Sequence, residues 1–328
     1  MTDYQTGSMR LLLPLKPWLE KPTVSEILIN EPETIFIEDN GTMHKIPVPE
    51  MNADKLPRLF QLIASENQMV LNDEKPMLSG SLPDGSRVQL VLPPTAKHPT
   101  LSIRRQSVNK LTLNDYQNQD YYRHTSPYVL DDENTSTQTN LLNKLYHAKE
   151  WGEFIHQAIL ARKNIIISGG TSSGKTTFLN ACLQAIHLTD RLIILEDTRE
   201  VEVPHDNQVQ LLASKHEQGK AKVTMQDLVQ CCLRLRPDRI IMGEIRGKEI
   251  LDFVSACSTG HEGSLTTIHA NSPRIAFMRM TQMYKLNNVP AMTDEDILRE
   301  LKEVIDIIIQ VEKIPTGRIA KSINYKDA

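Results

Sequence analysis

Eight consecutive residues constrain this chain more than any others. Gly169-Gly170-Thr171-Ser172-Ser173-Gly174-Lys175-Thr176 satisfy G-x-x-x-x-G-K-[ST] in full, with Ile165-Ile166-Ile167 ahead of them and a helical stretch behind. An apolar strand turning into a helix N-terminus is the context that makes this pattern a P-loop. The glycines let backbone N–H groups turn toward an anion, and the helix dipole adds to the attraction. On this reading Lys175 reaches the β- and γ-phosphates of a nucleoside triphosphate and the Thr176 hydroxyl ligates Mg²⁺. Gly169, Gly170, Thr171, Ser172, Ser173, Gly174, Lys175, Thr176 and Thr177 are therefore the expected nucleotide-binding residues.

The surrounding pattern agrees. From Leu141 onward, apolar strands alternate with helical stretches, which predicts a parallel sheet with helices on its faces. Helix is expected over 142–161, 176–187, 224–236 and 248–258. Strands are expected over 164–168, 191–195, 239–242 and 264–268, with a last one near 305–311. Ahead of this lies an α+β region. It has short strands at Ile27–Ile29, Thr34–Ile37, Thr42–Val48, Arg87–Leu92 and Leu101–Arg104, a tight turn at Asp39-Asn40-Gly41, and a helical period over Ala53–Gln68. The stretch 114–140 is polar, with few branched apolar residues, and reads as a linker. The expected division is an N-terminal α+β domain at 1–113, a linker at 114–140, and a P-loop domain at 141–328.

A P-loop needs a carboxylate at the end of a neighbouring strand. Leu192–Leu195 ends in Glu196-Asp197, and Ile240–Met242 ends in Gly243-Glu244, with Arg246 in the same loop. Glu244 is the candidate for orienting or deprotonating the attacking water, with Glu196 assisting at Mg²⁺ or at the water. Sequence gives no distances, so the two roles can be exchanged. His269 ends a further strand, at the edge where ligands bind in open parallel sheets, and is the candidate γ-phosphate sensor. His261, in a glycine-flanked turn, reads as structural.

Net charge is −4 and aromatics are 5% of residues, so neither a basic field nor a stacking path favours direct nucleic-acid binding. No run of ~18 apolar residues is present to span a bilayer. The four cysteines make no C-x-x-C pair, so no zinc ribbon or redox dithiol is written. A cytoplasmic protein is expected.

Four motifs in order resemble the type II/IV secretion ATPase superfamily: the P-loop, the acidic box Leu195-Glu196-Asp197-Thr198-Arg199-Glu200, the stretch Leu233 to Gly247, and the histidine box ending Thr267-Ile268-His269-Ala270-Asn271. The chain most resembles the hexameric traffic ATPases of bacterial type IV secretion and conjugation systems. That resemblance implies an α/β fold, with a RecA-like P-loop ATPase domain behind a smaller α+β N-terminal domain. It implies ATP and Mg²⁺ as cofactors, and a homohexamer lying peripherally on the cytoplasmic face of the inner membrane. It implies other type IV secretion ATPases and inner-membrane channel proteins as partners. Arginines matching Arg87 and Arg104 would reach across the interdomain cleft to the nucleotide phosphates, with Arg105 on the opposite face. A tight-adherence or type IV pilus assembly or retraction ATPase is the alternative, followed by a RecA-like DNA-translocating ATPase.

Overall fold

The computed structural model describes residues 7–105, 137–214 and 222–328. The expected linker therefore lies outside the described residues up to position 136. The front half is a six-stranded antiparallel sheet built from β1 (Val24–Glu31), β2 (Thr34–Asp39), β3 (Thr42–Pro47), β4 (Met77–Ser81), β5 (Arg87–Val91) and β6 (Thr100–Arg104), in the order β3-β2-β1-β6-β5-β4. Asn40 and Gly41 both take positive φ, 50° and 76°, and close the β2–β3 hairpin as their sequence predicts. The helix Lys55–Glu66 sets Leu56, Leu59, Phe60 and Ile63 on one face, against a core that includes Ile27, Ile35, Leu90 and Ile103. β4 was not legible, because Met-Leu-Ser-Gly-Ser carries no β-branched residue. It is held instead by Asn67, whose side chain bonds the Ser81 carbonyl and N–H, both at 2.9 Å.

The rear half is a seven-stranded sheet. β7 (Ile165–Gly169), β8 (Leu192–Glu196), β9 (Gln208–Leu212), β10 (Arg239–Ile245), β11 (Leu265–Ile268), β12 (Ile307–Ile314) and β13 (Gly317–Tyr325) lie in the order β13-β12-β7-β11-β10-β8-β9. All neighbours are parallel except the β12–β13 pair. Both faces are covered, one by a core around Leu228, Phe253, Met280 and Leu301, the other by a core around Phe154, Leu179 and Leu183. Burial on both sides explains why β7 and β8 read as unbroken apolar runs. All four cysteines are buried in these cores.

Several expectations are corrected. The helix expected over 142–161 is two helices, Thr137–His147 and Trp151–Leu160, separated at Lys149 with φ 60°. The break brings Trp151 and Phe154 edge-on to Tyr146, at ring separations of 5.3 and 5.4 Å. The helix expected over 176–187 ends at Leu183. β9, β13 and the helix Pro273–Lys285 were not expected. β13 is exposed almost throughout, so no burial period marked it. The helix had a readable start, since Ser272 caps it and proline follows.

The two halves meet along β9, where the Leu212 N–H donates to the Thr95 carbonyl at 2.7 Å, and at the edge where the parallel strands begin. Arg236, just ahead of β10, forks onto Glu38 with 2.6 and 3.0 Å bonds. Fully buried Arg191, at the start of β8, donates to Asn30 at 2.8 Å and Asn207 at 2.5 Å. Glu26 is buried beside them, with one carboxylate oxygen unpartnered. Burial pushes its carboxyl up to about 7, against the pull of Arg104 and Arg236. Because the folded chain then holds a proton that the unfolded chain has released, this stability is fully present below about pH 4.5 and is lost as pH rises through about 7. Glu26→Gln should therefore gain stability over the parent as pH rises, reaching about 3 kcal/mol by pH 8 and little at pH 4.5. Thermal or urea melts of both proteins across that range check this, and a difference independent of pH would contradict it.

Candidate functional site

β7 delivers the chain to the loop at Gly169. A Cβ there would lie 2.4 Å from Ser173 Oγ and 2.7 Å from the Val311 carbonyl, so only glycine lets the loop close onto β12. Ser172 and Gly174 take positive φ, 59° and 90°, and turn successive N–H groups inward to make an anion-binding concavity. Gly174 is the N-cap of the helix Lys175–Leu183 and offers no capping side chain. The first turn of that helix faces the same concavity with its N–H groups uncapped by side chains.

Lys175 is buried, and its Nζ donates to the carbonyls of Gly169 at 3.1 Å and Gly170 at 3.0 Å. The same atom stands 3.3 Å from His269 Nδ1, while His269 Nε2 is 3.2 Å from Glu244 Oε1. Burial lowers the His269 pKa, partly opposed by Glu244, so the ring is neutral near pH 7. A neutral ring has one acceptor and one donor. Lys175 must give to Nδ1, and Nε2–H must give to Glu244. Burial also lowers the Lys175 pKa, and Glu244 acts against that shift. Glu244 accepts a second bond from Arg246 at 2.7 Å, and Arg246 in turn holds Asp197 at 2.5 Å. The structure thus joins Lys175, His269 and Glu244 into one chain of contacts across the ends of β7, β11 and β10.

Glu196 stands apart from that chain. One of its oxygens accepts the N–H groups of Glu200 and Val201, at 2.7 and 2.8 Å, and the other is buried without a partner. Burial raises its pKa, against those two bonds. The residue that meets the Thr176 hydroxyl is Glu200, at 3.2 Å. Sequence alone does not single it out within the acidic box, because it lies four residues past the strand end and reaches back only through the loop that Glu196 folds. His261 Nδ1 lies 3.2 Å from the Pro237 carbonyl, away from the P-loop at the strand-start edge.

Arg87 and Arg104 are not brought to this site. They face each other across β5 and β6, and Arg104 Nε lies 3.6 Å from Glu26. Glu26 feels Arg236 and Arg191, which precede β10 and β8, whereas the P-loop follows β7. The front-domain arginines therefore lie beside the edge where the parallel strands begin, away from the P-loop at the strand ends. Arg105 bonds the Val24 carbonyl at 2.8 Å.

Comparisons with known proteins agree with this architecture. The family described as "Type II/IV secretion system protein" matches residues 12–313. The type IV secretion system protein VirB11 of Brucella suis is 35% identical, over 96% of this chain and 89% of its own length. Protein VirB11 of Agrobacterium fabrum is 32% identical, over 91% and 88%. The solved structure of the VirB11 ATPase from the Brucella suis type IV secretion system, in complex with sulphate, superposes with a TM-score of 0.91 at 32% identity and 98% coverage of each chain. The fold is that of these proteins, an N-terminal domain ahead of a RecA-like ATPase domain. The chain belongs to the type II/IV secretion system protein family and is an ATPase of type IV secretion.

Proposed function

We propose that the chain hydrolyses Mg-ATP as a homohexameric ring on the cytoplasmic face of the inner membrane. Hydrolysis there powers pilus assembly, substrate transport or conjugative transfer. The observation that carries the enzymatic part is the run of contacts from Lys175 through His269 to Glu244, which ties the phosphate cradle to a carboxylate. The P-loop N–H groups and Lys175 hold the β- and γ-phosphates. Glu244 orients a water or takes its proton, and His269 Nε2–H, now given to Glu244, is free to turn to the γ-phosphate when nucleotide arrives.

The oxygen donors at Thr176 suit a hard divalent cation: its own hydroxyl and the Glu200 carboxylate, on a loop that Glu196 folds. Thr176 would hold Mg²⁺, with Glu200 and Glu196 behind it, and the ion would draw charge from the phosphoryl group in transfer. Because Arg87 and Arg104 lie beside the strand-start edge of the parallel sheet, away from this chain's P-loop, any nucleotide they touch belongs to a neighbouring subunit. That reading makes assembly a condition of activity. Among the described residues, no helix is long and apolar enough to cross a membrane. Membrane contact is therefore read as peripheral, through other secretion ATPases and channel proteins, with no direct nucleic-acid binding.

Three outcomes follow. Lys175→Ala removes the buried ammonium beside the triphosphate and abolishes hydrolysis in a purified-protein phosphate-release assay. Glu244→Gln keeps the shape and loses the base, so nucleotide binding stays within about twofold while turnover falls on the order of 10²–10⁴-fold. Full turnover in this variant would move the catalytic role to Glu196. Sedimentation with Mg-ATP over the micromolar range should give the mass of a hexamer; monomer throughout would count against the ring.

A further inference from the structure

One cation at the P-loop has no place in the chemistry described above. Arg318 lies at the start of β13, opposite Lys313 of β12, two residues past the Val311–Gly169 pairing of β12 with β7. The β12–β13 hairpin thus overhangs the loop that follows β7. Arg318 Nε donates to the Ser172 carbonyl at 3.2 Å, and its stem lies over Gly174, where a Cβ would be 2.7 Å from Arg318 Cδ. The residue is exposed, and among the described residues the two terminal amino groups of its guanidinium have no hydrogen-bond partner.

Sheet order decides which end of a nucleotide this arginine meets. β11, β10 and β8 lie on one side of β7 and carry His269, Glu244 and Glu196. β12 and β13 lie on the other side and carry Arg318. A triphosphate whose γ end points to Glu244 runs its nucleoside end back across the loop toward β13. A guanidinium there is planar, open on its outer face and already fixed through Nε, so it is suited to lie flat on an aromatic ring. We propose that Arg318 anchors the nucleoside end of the bound nucleotide, its guanidinium plane resting on the base. The proposal rests on the P-loop reading above and adds to it a residue that sorts nucleotides from bare polyphosphate.

The test is calorimetric binding of Mg-ATP and of magnesium tripolyphosphate, which has the phosphates and no nucleoside, to the full chain. Arg318→Ala should bind ATP roughly five- to tenfold more weakly, the scale of one cation–π contact, and tripolyphosphate within about twofold of the parent. Equal weakening of both ligands would mean that the arginine serves only the loop or the phosphates, and would overturn the proposal. So would no change in either. Arg318→Lys keeps a donor for the Ser172 carbonyl but loses the plane, so full recovery of ATP affinity in it also overturns the proposal. Lys175→Ala is the separate control. If it leaves both ligands bound as in the parent, the P-loop reading fails, whatever Arg318 does.

Discussion

The site depends on an ammonium group that is held from behind before any phosphate arrives. Lys175 is 8% exposed, and burying a charge so deeply is costly unless it is paired and hydrogen-bonded. Two carbonyls of the loop it will serve, those of Gly169 and Gly170, meet that need, and His269 accepts a third bond. The lysine in turn keeps the loop closed, because both carbonyls point at it. The cradle is therefore held in a closed shape by the residue that serves it, and less ordering remains for binding to impose.

The same contact explains why residues far apart in the chain have to be present together. His269 stays neutral because burial and Lys175 disfavour its proton, and neutrality lets it accept from one neighbour and donate to the other. Glu244 lies at the far end of that ring with Arg246, which also holds Asp197 at the end of β8. Four strand ends, β7, β11, β10 and β8, are thereby tied by side chains as well as by their ladder. Replacing any one of these groups changes the charge felt by the others, so single substitutions here should not add.

Most of this was legible because parallel strands advertise themselves. Unbroken apolar runs such as Ile165–Ile167 and Leu192–Leu195 mark strands buried on both faces, and a carboxylate or histidine just after such a run must stand at the ligand edge. Glu244 follows that rule after Ile240–Met242, and His269 stands at the same edge after the threonine-bearing strand β11. Glu196 follows it in position but spends one oxygen folding its own loop, and Glu200 takes the contact with Thr176. A loop's path is set by hydrogen bonds that no periodicity encodes. β13 and β4 were lost for related reasons: one is exposed along nearly its whole length, and the other lacks β-branched residues. Arg87 and Arg104 were placed on their strands correctly, yet which edge those strands dock against is a matter of tertiary contact.

That docking has a mechanical consequence. Glu38, Asn30 and Glu26 of the front half bear on the edge where β8 and β10 begin, and Thr95 and Ala96 bear on Leu212 and Leu211 toward the other end of β9. The parallel sheet, clamped by cores on both faces, is therefore a stiff plate held along its β9 side. The nucleotide cradle, after β7, lies four strand spacings from that side, ~19 Å. A tilt of about 5° at the cradle then moves the held side by ~1.7 Å, enough to part a hydrogen bond of ordinary length, so the front half would feel a rotation of the plate without touching the ligand itself.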